Sequence, residues 1–160
     1  MTTRNEPRAT RLVIVGGGIG GTTVAKRLAN DPRFEITLID RQNHYVFQPL
    51  LYQVATAALG SADIAVPIRH MLRDAGNVAV LQSEVRGIRA HARLVDTDAG
   101  PVAYDALVVA AGVECSWFGR ADWESVAPGL KTLDATRCGA NSAGSTRGRR
   151  GSCSSRRARG

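Results

Sequence analysis

Gly16, Gly18 and Gly21, with Gly17, Ile19 and Gly20 between them, have the spacing of a loop whose backbone N–H groups face phosphate oxygens. Each of the three has a steric reason to be glycine. Gly16 serves a tight turn, Gly18 lets the backbone approach a pyrophosphate, and Gly21 lets a helix pack closely on a strand. Asp40 follows 19 residues after Gly21 and supplies a carboxylate that accepts hydrogen bonds from ribose hydroxyls. The chemistry these residue types support is the cradling of a dinucleotide: an anion bound by main-chain donors at one end, a sugar clamped at the other.

Such a cradle needs a strand to deliver the glycines and a helix to aim at the phosphate. Leu12 to Val15 is a short apolar run ending in glycine, as expected of a buried parallel strand. Gly20 to Asn30 places Val24, Ala25 and Leu28 at helical spacing and stops at Asn30-Asp31-Pro32. The positive dipole end of that helix would point at the anion. Phe34 to Ile39 is the second strand, ending at Asp40, and Val78 to Leu81 is a third parallel strand bounded by Gly76-Asn77.

Ala65 to Leu72 is expected to be a short helix with Pro67 in its first turn. Glu84 to Arg89, Ala92 to Thr97 and Val102 to Tyr104 alternate in residue type between turn formers, which predicts an antiparallel meander. Ala106 to Ala110 returns to buried parallel character before Gly112. The segment 41–60 is neither clean helix nor clean strand and is more apolar than an ordinary loop. The order implies an α/β fold in three layers, Rossmann-like, with a small meander inserted before the last parallel strand.

With 160 residues and 44% hydrophobic content the chain can bury a core. Its net charge of +7 comes wholly from seven arginines after Thr136, where no acid stands. The sequence pI near 10.2 therefore describes the last residues and not the folded part. No apolar run is long enough for a spanning helix, and the amino terminus lacks the apolar centre of a secretory signal. Cys115, Cys138 and Cys153 have neither metal-ligand nor CxxC spacing, and no metal site is expected. A reducing, cytoplasmic setting is the expectation.

VIVGGGIGG, TLIDRQNH, FQPLLYQVAT, ADIAVPIR, EVRGI, YDALVVAAG, the Trp117-Phe118-Gly119 element and APGLKTLDA together resemble the amino-terminal third of type II NADH dehydrogenases, over about Arg11 to Arg137. These are single-chain NADH:quinone oxidoreductases of the pyridine nucleotide-disulfide oxidoreductase superfamily. They bind FAD and pump no protons. The resemblance implies that Gly16 to Gly20 contact the FAD pyrophosphate, Asp40 and Arg41 the adenosine ribose region, and the Val85 backbone the adenine. It matches Ala111-Gly112 to a second phosphate-side turn, where the family usually has threonine at the position of Ala111. It also puts Phe47 to Gln53 near the isoalloxazine and the quinone entrance, with Pro49, Leu50 and Leu51 as apolar walls beside Gln48 and Gln53. The residues by themselves equally allow a packed crossover segment with two solvated glutamines.

NADH and quinone are the partners this resemblance implies, with the inner face of the cytoplasmic membrane as the place of work. Membrane association would run through the family's carboxyl-terminal region, which this sequence does not match. Sulfide:quinone oxidoreductase is the rival within the architecture, and it needs redox cysteines in another context. His44, His70 and His91 have no carboxylate or cysteine partner at useful spacing, and no catalytic residue is assigned. Cys115 is expected to be a small semi-buried residue, and Trp117, Phe118 and Trp123 to pack in a core or domain interface. Residues 1–10 are expected to be flexible, and 11–136 to form a partial FAD-binding domain.

Residues 137–160 form an Arg/Gly/Ser-rich stretch with no aliphatic side chain larger than alanine, expected to be disordered. Its start inside a recognisable family segment implies a shift of reading frame near Arg137 or Cys138. A nucleic-acid-binding arm is the alternative, and the absence of aromatic residues to stack on bases speaks against specific nucleic-acid binding.

Overall fold

The computed structural model describes residues 8–113, Ser116, 118–120, Trp123 and Lys131. These fall into two compact units, residues 8–45 with 65–113, and 46–64 with the described residues beyond 113. The expected boundary at Thr136, the character of 137–160, Cys115 and Trp117 lie outside the described residues.

The first unit is built on a four-stranded parallel sheet. β1 (Thr10–Val15) lies between β2 (Phe34–Asp40) and β9 (Ala106–Val109), and β5 (Val78–Gln82) pairs with the far side of β2. Both faces of β1 are covered, which explains its unbroken apolar run. Leu12 and Ile14 face one layer with Ile36 and Leu38 of β2, packed against Ala25 of α1 (Ile19–Arg27) and against Ile68 and Leu72. Val13 and Val15 face the other with Ile39, Val95 and Tyr104. Fully burying side chains such as Ile36 and Leu38 contributes about 1.5–3 kcal/mol each.

That second face is covered by an antiparallel meander of β6 (Val85–Arg89), β7 (Leu94–Thr97) and β8 (Gly100–Ala103). Helices, parallel sheet and meander make the three layers expected. α1 ends at Arg27, short of the expected Asn30, because Asn30 takes a left-handed φ of 61°. Its side chain there accepts the Gly76 N–H and donates to the Asp74 carbonyl.

The expected helix over Ala65 to Leu72 is corrected. Ala65–Pro67 is strand β4, paired with β3 (His44–Val46), and only Ile68–Met71 is helical, as α4. Pro67 excludes its predecessor from helical backbone and caps the helix instead of entering its first turn.

In the second unit a 3-10 turn at Gln48–Leu50 runs into α2 (Leu51–Ala55), with α3 (Ser61–Ile64) further on. Leu51, Val54 and Ile64 form a small core of their own. Among the described residues no helix is long and apolar enough to cross a membrane.

Candidate functional site

The glycine loop is shaped by what a side chain would strike. A Cβ on Gly21 would run into the Gly16 carbonyl oxygen, and one on Gly16, whose φ is 105°, into the Ala110 carbonyl. Both positions are filled by the protein itself. Gly18 differs, for nothing lies within 4 Å of where its Cβ would stand and its φ is −73°. No packing or torsional demand of the chain explains glycine there. The empty space above Gly18 leaves room for a group the size of a phosphate.

Main-chain donors surround that space. The first N–H of α1 with an intrahelical acceptor is that of Thr22, bonded to the Gly18 carbonyl at 3.0 Å. The N–H groups before it have no intrahelical partner, and Gly18, Ile19 and Gly20 are exposed. The Thr22 hydroxyl also donates to the Gly18 carbonyl, at 2.7 Å, so that oxygen is occupied twice. What the helix end turns outward is donors. No acidic residue stands in its first turn, and Lys26 and Arg27 complement the dipole in its last.

Asp40 is built into the same corner. Its Oδ2 accepts the Gly17 N–H at 2.5 Å and its Oδ1 the Gln42 N–H at 2.7 Å. One lone pair on each oxygen remains for a further donor such as a sugar hydroxyl. Its carbonyl accepts the Ser83 N–H at 2.9 Å, which ties the end of β2 to the chain entering β6. Val85 begins that strand two residues on, half-buried beside Val13, Val15 and Ile39. Arg41 follows Asp40 and is exposed.

On the other side the Ala110 N–H extends the ladder to the Val15 carbonyl at 2.7 Å. Ala111 and Gly112, the latter with φ 74°, are exposed just beyond it. The structure therefore gathers Gly16 to Gly21, Asp40, Ala111 and Gly112 at the carboxyl ends of β1, β2 and β9, with Val85 linked to the group through Ser83. This is the end of a parallel sheet where such folds bind ligands. Gln42, Ser83 and Asp98 were not anticipated. The Gln42 bond is an Asx turn that Asp40 itself could have signalled.

Of the apolar segment, Leu51 is 2% exposed and serves the local core, so it is not a wall offered to a ligand. Phe47, Gln48, Pro49 and Tyr52 are exposed, and Gln53 donates to the Tyr52 hydroxyl at 2.9 Å. Phe118, 89% exposed, is no core residue, and Trp123 is exposed beneath the Arg120 guanidinium, 4.8 Å from its ring. Among the described residues no group of three or more His, Cys, Asp or Glu is placed to hold a metal ion.

A family profile described as pyridine nucleotide-disulphide oxidoreductase matches residues 10–138. The chain belongs to the pyridine nucleotide-disulphide oxidoreductase family. Among the relatives of this family member, the type II NADH:quinone oxidoreductase NdhA of Mycobacterium tuberculosis is 45% identical over 128 residues, 78% of this chain and 27% of that protein. Ndh of the same organism, also a type II NADH:quinone oxidoreductase, is 41% identical over 136 residues, 82% of this chain and 29% of that protein. The chain thus spans under a third of the length of the curated relatives it matches.

Among solved structures, the sulfide:quinone oxidoreductase of Aquifex aeolicus superposes with a TM-score of 0.77 at 27% identity, over 85% of this chain and 32% of that one. NDH2 of Plasmodium falciparum superposes with a TM-score of 0.75 at 21% identity, over 83% and 28%, a likeness of fold.

Proposed function

We propose that the chain is the FAD-binding part of a type II NADH:quinone oxidoreductase, carrying electrons from NADH through FAD to a membrane quinone. The observation behind this is Gly18, whose side-chain space is open above the donor end of α1 and beside a braced carboxylate. In this proposal Gly16, Gly17, Gly18, Ile19, Gly20 and Gly21 cradle the FAD pyrophosphate. The dipole end and open N–H groups of α1 supply the favourable field.

Asp40 and Arg41 take the adenosine ribose region, the Val85 main chain the adenine, and the Ala111-Gly112 turn the second phosphate side. Ala111 brings no hydroxyl, so its contribution is main-chain only. Bound FAD supplies a ring that accepts a hydride and passes two electrons onward. The chain's own part is to bind and orient: donors on the phosphates, a carboxylate on the sugar. Work at the inner face of the cytoplasmic membrane belongs to the same proposal, supported by the 45% and 41% identities to type II enzymes.

The test uses the 160-residue protein. Incubation with FAD should give flavin absorbance that gel filtration largely removes, and ADP should shift the amide resonances of 18–20. If neither FAD nor ADP perturbs those amides, the proposal fails. With NADH and a soluble quinone these residues alone should show little or no turnover, and robust turnover would refute that expectation. The likeness to the Aquifex enzyme supports a second reading, a sulfide:quinone oxidoreductase. Bleaching of the bound flavin by sulfide and not by NADH would favour it.

A further inference from the structure

Ser83 is 4% exposed and joins three backbone segments that are far apart in sequence. Its N–H donates to the Asp40 carbonyl at 2.9 Å, its hydroxyl donates to Asp98 Oδ1, and its oxygen accepts the Ala99 N–H at 3.3 Å. Asp98 Oδ1 also accepts the Glu84 N–H at 2.9 Å, and the Asp98 N–H returns to the Glu84 carbonyl at 3.1 Å. Thr97 completes the knot, its hydroxyl accepting the Ala99 N–H and donating to the Gly100 carbonyl at 2.6 Å.

The meander packs on the sheet by apolar contact, which is non-directional and leaves its height above the sheet loosely set. The Ser83 and Asp98 bonds set that height, because they run from the ribose-side carboxylate's own residue, through Ser83 and Asp98, to Glu84 at the entrance of β6. Val85 stands next in the chain. A main-chain group that reads an adenine edge needs its position fixed to a fraction of an ångström relative to the sugar clamp.

We infer that Ser83 and Asp98 are positioning residues for the adenosine end of the bound nucleotide, holding the Val85 main chain in register with Asp40. The inference rests on the FAD reading above and deepens it. Neither side chain is a catalytic residue. The Asp98 carboxyl lies below the ordinary carboxylate range, chiefly through the Ser83 hydroxyl and then the Glu84 N–H, so the network is intact at neutral pH.

The experiment titrates isotope-labelled 160-residue protein with ADP, which spans sugar, base and phosphate, and with inorganic pyrophosphate, which reaches the glycine loop alone. Ser83→Ala and Asp98→Ala should weaken ADP by about five- to tenfold, the loss of a typical network hydrogen bond. Pyrophosphate affinity should stay unchanged. Asp98→Asn should bind ADP like the wild type, because both bonds end on Oδ1, which the amide keeps.

A merely structural role would lower both affinities together and would leave the ADP-to-pyrophosphate ratio untouched. That result, or Asp98→Asn behaving like Asp98→Ala, would overturn the inference. If the wild type binds ADP no better than pyrophosphate, or binds neither, the FAD reading falls first and the inference with it. Asp98 is exposed, so the test does not depend on tolerance at buried Ser83.

Discussion

Gly18→Ala separates binding from folding more sharply than any other change in the loop. The new Cβ meets no atom within 4 Å, and φ at this position, −73°, is ordinary for alanine. Alanine also removes backbone freedom from the unfolded chain, worth about 0.4–1 kcal/mol in favour of folding. Against this, Gly18 caps α1, where alanine is a poorer residue by a few tenths to about 1 kcal/mol. The two nearly cancel, and stability should move by less than about 1 kcal/mol.

The same methyl group would occupy the space that the proposed function assigns to phosphate. Losing one charge-assisted main-chain bond costs about 1.5–3 kcal/mol, roughly a ten- to 150-fold drop in nucleotide affinity. Urea denaturation followed by far-ultraviolet circular dichroism gives the first quantity, and ADP titration followed by amide shifts gives the second. Gly21→Ala is the contrast, since its Cβ would strike the Gly16 carbonyl and overpacking costs about 1–3 kcal/mol or more. Unchanged ADP affinity in Gly18→Ala would refute the assignment of that space to phosphate. A loss of several kcal/mol in stability would refute the view that the protein itself makes no demand there.

Asp40→Asn should destabilise by about 1–3 kcal/mol and abolish detectable ADP binding, because an amide oriented to keep the Gln42 bond turns an NH2 toward the Gly17 N–H; denaturation and titration check the two halves. Leu38→Ala, at a fully buried position under α1, should cost about 2–5 kcal/mol in urea without changing which amides ADP shifts. Acid should weaken the fold through Asp105 and Asp31. The Arg11 guanidinium and N–H hold Asp105 well below the ordinary value of 3.8, and Arg33 lowers Asp31 to about 2. A depressed carboxyl contributes in full above 3.8 and its contribution is lost as pH falls through the folded value, so Arg11→Gln should return the Asp105 titration, followed by carboxyl carbon shifts, toward 3.8.

The first β-loop-α-β unit was legible because everything that makes it is local. An apolar run, glycines at fixed offsets and a terminal acid lie within 31 consecutive residues from Thr10 to Asp40. The meander was legible for the same reason, through alternation and turn formers around Asp98 and Gly100. Pro67 misled because proline favours both a first helical turn and the extended residue before a helix, and pairing of β4 with β3 decided between them. The Asp40 type and place could be read, but its bond to Gly17 could not, since nothing in the spacing says where a carboxylate turns. Leu51 leaves two readings open in sequence, because apolar residues that wall a ligand and those that fill a local core look alike there, and its burial decides for the core. The Ser83 to Asp98 knot joins hydroxyl and carboxylate through tertiary folding alone.

The ion pair of Arg11 with Asp105 bridges 94 residues with three hydrogen bonds, two at 3.0 Å and one at 2.8 Å, and the Asp105 N–H returns to the Arg11 carbonyl at 2.8 Å. It fastens the start of β1 to the start of β9, and Gly16 in turn lies against the carbonyl of Ala110. During synthesis the glycine loop leaves the ribosome well before its far wall, which arrives only once position 110 has emerged. Such a long closure slows folding and prolongs exposure of the unpaired edge of β1. The nascent chain thus spends its most aggregation-prone interval with the glycine loop walled on one side and open on the other, a window in which a chaperone has most to contribute.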